Sequence, residues 1–344
     1  MSAAWERITA AALTVNARFE SSMMLLTPAA LAVGFFCTAT LDAYVPTVPY
    51  LFAFITFVMA LGCGLIDLRQ ALHRPGLIAA ALVLAHIVLP MIAFGTGALL
   101  FGAHSPYTHG LVLYTAIPLG VSSVIWIGMT GGQIPLALAL IVLDSILSPF
   151  IVPATLKLAF GTELALNAQG VFVDLLLIVV LPTLLGATLR DRRRSAADSI
   201  RPVALPLSKL AFLAVLALNA AAIAPYALEW KADLPLLLPG IVLLIAIGYA
   251  VGAWTVGRTK TMQAAEEEAP RLTMAYAIGI RNISLGLVIG LAYLSPQASV
   301  PIVLAILLQQ PAAALVKRIT DTRRLNERAA ERQARAQDDP ADAQ

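Results

Sequence analysis

Long apolar runs, separated by short charged or Pro/Gly-rich stretches, fill most of this chain. Ten of them, at 25–42, 47–66, 76–101, 108–129, 133–159, 168–189, 203–224, 234–257, 272–293 and 296–316, predict helices. Each is close to the about 20 residues a helix needs to cross a bilayer. The first is the shortest and stops at Asp42. Residues 1–22 follow another rule: Trp5, Ile8, Ala12, Val15 and Phe19 recur at spacings of three and four, with Glu6, Arg7, Asn16, Arg18 and Glu20 on the other face. That is the pattern of a helix lying in the membrane interface. Residues 320–344 are a charged tail whose short helix frays into solvent. The predicted fold is an all-α polytopic membrane protein.

Composition agrees. Of 344 residues, 59% are hydrophobic and 12% charged, with a mean hydropathy of +0.84. A soluble domain carries about 25% charged residues. The net charge of +3 reflects where basic residues sit, so no nucleic-acid partner is expected. With the N-terminus placed in the cytoplasm, twenty of the twenty-three Lys and Arg fall on cytoplasmic segments. Only Lys157 and Lys231 lie outside, and Arg281 lies within the membrane. That asymmetry favours ten spans in a cytoplasmic (inner) membrane with both termini inside. Cys37 and Cys63 fall in apolar segments without ligand spacing and read as buried, inert thiols. No His/Asp/Glu cluster at ligand spacing occurs at midplane depth, so neither catalytic residues nor a metal or cofactor is expected, and the chain does not read as an enzyme.

Arg281 is the most informative residue. It lies about ten residues into its span, which at about 1.5 Å per residue is near the bilayer midplane. An arginine there is unfavourable by about 2.5–3.5 kcal/mol on the mildest scale, so it must face a protein interior or a wet cavity. Gly279, Asn282 and Ser284 surround it and weaken the helix. Span four is interrupted in a similar way at Pro118-Leu-Gly120-Val-Ser122-Ser123. Pro118 lacks an N–H and glycine relaxes the backbone, so both helices should open there. Unwound backbone at this depth must line a cavity or be buried in protein, and paired breaks mark a transporter's binding site.

The breaks belong to a larger recurrence. Span five has Pro135, then Asp144 nine residues later, then Pro149; span ten has Pro301, then Gln310 nine residues later, then Pro311. Two five-helix units, 23–160 and 161–319, then insert with opposite orientations. Aligning Gly120 with Gly279 sets Ser122 and Ser123 opposite Arg281 and Asn282. Asp144 is the only other charged residue near midplane depth and is the expected partner of Arg281. Asp174 reads as interfacial. His86, mid-span, is either proton-linked or simply hydrogen-bonded. Trp126, Gln309 and Gln310 either line a cavity or pack helices.

With these residues in view, the chain resembles the bile acid:sodium symporter family over residues 23–319, as a subgroup with Gly-Ile-Arg-Asn in helix nine. The resemblance rests on the two-repeat layout, the small-polar break in span four, Gly131-Gly-Gln133 leading into a span with Ser148-Pro149, and Gly279-Ile-Arg-Asn282. It implies a panel domain, a core domain, and helices four and nine crossing at their breaks. It also implies alternating-access transport of organic anions with sodium. In sodium-coupled members a glutamate stands where this chain has Ala277, and a glutamine where it has Arg281. The asparagine that follows is kept as Asn282, and helix four keeps Ser122 and Ser123 without its usual asparagine. A fixed guanidinium repels sodium at close range, which disfavours Na+ at the ordinary sites and leaves three options for coupling: sodium held elsewhere, protons through Asp144 or His86, or no ion. The arsenite exporters of a neighbouring group depend on a helix-four cysteine, which this chain lacks.

The expected function is secondary transport of a small or amphipathic organic anion. Substrate contacts are expected from Ser122, Ser123, Trp126, Arg281, Asn282, Ser284, Gln309 and Gln310, with Pro118, Gly120 and Gly279 opening the helices. Asp144 and His86 are the coupling or ion-pairing groups. The alternative is a non-transporting sensor or receptor that keeps the anion cavity. Besides the anion, the only partner expected is the lipid bilayer.

Overall fold

The computed structural model describes residues 3–62, 64, 74–161, 167–225, 232–256 and 264–338. Cys63, Lys231, the end of the predicted second span and the last residues of the tail lie outside the described residues. Everything described is helix or connection apart from one isolated bridge. In chain order the helices are α1 (Ala3–Phe36), α2 (Thr38–Ala60), α3 (Pro75–Phe101), α4 (Pro106–Ala116), α5 (Ser123–Thr130) and α6 (Ile134–Phe160). They continue with α7 (Ala168–Arg192), α8 (Arg194–Ile223), α9 (Leu234–Trp254), α10 (Ala264–Gly279), α11 (Ile283–Tyr293) and α12 (Pro296–Asp338).

Among the described residues, seven helices are long and apolar enough to cross a bilayer. An eighth arises if α1 is one span, bent by 77° between Trp5–Met23 and Leu25–Phe36. The regions predicted as spans four and nine are each two short helices: α4 and α5 flank residues 117–122, and α10 and α11 flank 280–282. Cys37 is a correction. It sits in the turn between Phe36 and Thr38, where no neighbouring helix covers it, and its thiol is exposed rather than buried.

The helices pack as two groups. α1, α2, α7 and α8 lie against one another, with Gly34 letting α1 approach the backbone of α8 at Ala217. α3, α4, α5, α6, α9, α10, α11 and α12 form the second group, and α6 meets α7 between them. At one boundary of the first group Lys209 donates to Asn16 and Glu20, both at 2.7 Å, and so ties α8 to α1. Asp174 accepts from the Tyr293 hydroxyl at 2.5 Å in a partly buried position.

Two helices widen locally, and proline explains both. The turn Leu84–Val88 of α3 and the turn Leu176–Val180 of α7 are π-helical, and Pro90 and Pro182 follow them. A proline ring clashes with the carbonyl four residues earlier and offers no N–H, and a π-turn absorbs the misfit. Tight connection is the other local device. Gly131, at φ +78°, ends α5 in the left-handed region that disfavours other residues. Arg324 of α12 donates to the Thr130 carbonyl at 3.0 Å and to Glu268 at 2.8 Å, which closes that helix end against α10.

Candidate functional site

The two breaks meet. Leu119 and Arg281 form an antiparallel bridge, the Gly120 N–H donating to the Ile280 carbonyl at 2.7 Å and the Asn282 N–H to the Pro118 carbonyl at 2.9 Å. Each interrupted helix thereby satisfies part of the backbone that the other has opened, as membrane depth requires. Gly120 belongs here for steric reasons: a Cβ would stand 2.7 Å from the Arg281 carbonyl oxygen. Across the bridge Leu119 faces Arg281, and Gly279 lies against the Tyr249 ring, which a Cβ would meet at 2.7 Å.

The peptide of Arg281 has its own clamp. Gln309 of α12 accepts from the Arg281 N–H at 2.8 Å and donates to the Arg281 carbonyl at 3.2 Å. Its side-chain amide thus completes the hydrogen bonding that a third strand would provide. Gln310 does something separate, accepting from the Trp126 indole at 3.0 Å, while Trp126 stacks at 6.4 Å with Tyr276.

The guanidinium is 2% exposed and finds two carbonyl oxygens. It donates to Ile117 at 3.2 Å and to Ala85 at 2.9 Å. Both oxygens are free for identifiable reasons. Ile117 is the first residue of the break after α4, and its extended backbone turns its peptide away from the helix. Ala85 lies in the π-turn, where the Leu89 N–H goes to Leu84 instead. The next N–H in a π-turn would be that of residue 90, which is proline and has none. Pro90 therefore creates the acceptor that Arg281 uses. The cation also sits at the C-terminal, negative end of α4, a favourable place for it.

Asp144 is fully buried, and its partners correct the expectation that it pairs with Arg281. One oxygen bonds His86 Nε2, and the other accepts from the Leu119 N–H at 2.6 Å, so the carboxylate holds the unwound backbone of the first break. No ion pair joins it to Arg281: both its oxygens are engaged by His86 and the Leu119 N–H, while the guanidinium donates to the two carbonyls. The two charges remain close enough to interact, and Tyr114 lies near the guanidinium as well. His86 is buried, and its Nδ1 has no partner.

The remaining predicted residues lie around the bridge. Ser122 and Asn282 are half-buried and start α5 and α11, and neither helix is capped by its side chain. Ser123 and Ser284 are buried, and the Ser123 hydroxyl has no hydrogen-bond partner. The positive ends of α5 and α11 therefore arrive at the crossing without side-chain caps, while Arg281 neutralises the end of α4. Two participants were missed from sequence, Tyr114 beside the guanidinium and Tyr249 against Gly279. The signal for the Ala85 acceptor was present as the proline five residues later.

The chain matches the model of the sodium bile acid symporter family over residues 48–230, more than half its length. It is 38% identical over 298 residues to YbaS of Bacillus subtilis (strain 168), covering 85% of this chain and 94% of that protein. It is 24% identical over 250 residues to a protein of the same organism named as the sodium-dependent transporter YocS, covering 72% and 74% of the two chains. A rice (Oryza sativa subsp. japonica) protein named as the probable chloroplastic sodium/metabolite cotransporter BASS1 is 27% identical over 257 residues, covering 72% of this chain and 60% of its own.

Proposed function

The chain belongs to the sodium bile acid symporter family, and we propose that it is a secondary transporter of a small or amphipathic organic anion whose crossing carries a built-in cation in place of sodium. The observation that carries this reading is the position of Arg281. A bound cation needs oxygen ligands, and the carbonyl oxygens of Ala85 in the π-turn and Ile117 at the first break already accept from the guanidinium. Asp144 has both its oxygens engaged too. What the crossing offers a solute is the positive dipole ends of α5 and α11, whose first N–H groups bond back to the carbonyls of the breaks, with the half-buried Ser122 and Asn282 and the unpartnered Ser123 hydroxyl beside them. These favour a carboxylate or sulfonate. The named relatives, a sodium-dependent transporter and a sodium/metabolite cotransporter, support a sodium-coupled transporter in general, and Arg281 in the place of sodium is the departure proposed for this chain.

The same reading treats the chain as ten spans in two inverted repeats. The group of α1, α2, α7 and α8 is then the panel, and the other helices the core. The bridge supports such a relation in a new register. Equating Leu119 with Arg281 also equates Ser122 with Ser284, Ile127 with Ile289 and Gly128 with Gly290, and each half then holds its bridge N–H with a side-chain oxygen, Asp144 in one and Gln309 in the other. In this layout both termini and the Arg190–Arg201 connection are cytoplasmic. A single cysteine placed in that connection, with Cys37 and Cys63 replaced by serine, should resist an impermeant thiol reagent in intact cells. Labelling from outside would overturn the topology and the inverted repeat with it.

Sodium dependence tests the central claim. Taurocholate, pantoate and pyruvate, titrated onto purified protein by calorimetry, should bind with affinities that change less than about threefold when sodium replaces potassium at constant ionic strength. A tenfold or larger gain with sodium would show that the ion is held by other ligands.

A further inference from the structure

We propose that His86 and Asp144 form a proton-binding site that couples proton movement to the anion, one proton for each monoanion carried. The proposal rests on the transport reading above but adds the coupling ion. Its basis is a buried titratable pair that the anion site does not use. His86 is 5% exposed and Asp144 0%, and His86 Nε2 bonds one carboxylate oxygen. An ionised carboxylate only accepts, so Nε2 carries the ring's hydrogen. Nδ1 is then a bare lone pair, and it is buried without a partner. A structural histidine at this depth would normally have both nitrogens satisfied. An open basic nitrogen is the place for a second proton.

The surroundings leave His86 as the group that changes state. Besides Asp144 on α6, the π-turn holding His86 packs against α4 and α9, and Arg281 reaches it from the second break. Those elements carry Tyr114, which lies near the guanidinium, and Tyr249, which lies near Tyr114, together with Arg281 itself. Tyr107 is paired with Asp233, His109 lies against Phe160, and Lys157 is exposed. A guanidinium keeps its charge in a protein, and tyrosine ordinarily ionises near pH 10. Imidazole is the side chain whose ordinary titration falls at working pH.

Charge balance gives the coupling its stoichiometry. Arg281 and Asp144 sum to zero while His86 is neutral. A bound monoanion would leave the site one unit negative, and one proton from water, added at Nδ1, restores neutrality. By linkage the anion and the proton favour each other's binding equally. The mechanical consequence runs through Asp144, whose second oxygen holds the Leu119 N–H of the break. Charging the ring draws the carboxylate toward His86 and loosens its hold on the half-helix that starts beside the anion.

Two measurements on the full-length protein decide the matter. In histidine-labelled wild type the four rings can be followed by nitrogen NMR, with His86→Gln used only to assign its signal. The His86 ring should pass from one N–H to two between pH 9 and 5, and in protein labelled at leucine the Leu119 amide should shift over the same range. A ring that keeps one proton across that range overturns the proposal. In proteoliposomes, with taurocholate as the probe, an interior one pH unit more alkaline should drive about tenfold accumulation, the equivalent of about 1.4 kcal/mol, and His86→Gln should lose that dependence. Taurocholate uptake indifferent to the gradient also overturns it. If the ring titrates but wild type moves no taurocholate, the proton site stands and the reading of the anion is what fails.

Discussion

Replacing Arg281 with alanine should destabilise the protein by about 3–5 kcal/mol, as removal of one member of a buried charge network does. Several losses combine. The carbonyls of Ala85 and Ile117 lose their donor, and an unpaired buried acceptor costs about 1–3 kcal/mol. Asp144 keeps its charge with no cation nearby. Three elements also come untied, since the guanidinium links the π-turn of α3 and the end of α4 to the second break. Arg281→Lys should recover little, because one ammonium cannot span two carbonyls that a planar fork reaches together. Thermal unfolding in detergent, read by tryptophan fluorescence, measures both variants. An alanine variant within about 1 kcal/mol of wild type would mean that water or neighbouring groups satisfy the carbonyls, and that the tie is not structural.

Much of this network was legible in the chain, and its limits are instructive. A charged residue about ten positions into an apolar span announces itself, and so do a proline and glycine in the middle of another. Those signals are local, and they located Arg281, Gly120 and Asp144. Pairing is not local. Asp144 and Arg281 share a depth, and depth with opposite charge suggested a salt bridge; the orientation of each side chain then gave Asp144 to His86 and Leu119 instead. Steric role is not local either. Gly120 and Gly279 look alike in sequence, but one glycine makes room for the opposing backbone and the other for the Tyr249 ring. Gln309 and Gln310 are adjacent, and only helix rotation decides that the first clamps Arg281 while the second meets Trp126. The family expected from the motifs is the one the chain belongs to.

Arg281 and Asp144 should still be coupled, although they do not touch. Arg281→Gln and Asp144→Asn should each be strongly destabilising, and the double variant should be more stable than the sum of the two predicts by about 1–3 kcal/mol, within the range for residues of one network. Removing either charge alone strands the other in a buried site, and removing both restores neutrality. Recovery should be incomplete for a geometric reason. Asp144 accepts from two donors, His86 Nε2 and the Leu119 N–H. An asparagine has one oxygen, so it can keep the Leu119 bond only by turning its NH2 group toward a ring nitrogen that already carries hydrogen. The ring can answer by moving its hydrogen to Nδ1, which is open, and Asp144→Asn should therefore change the tautomer of His86. Unfolding of the four proteins gives the cycle, and nitrogen NMR of the labelled histidine gives the tautomer. Additivity within about 0.5 kcal/mol would show that each charge is compensated locally, Arg281 by its carbonyls and Asp144 by His86, with no balance shared across the crossing.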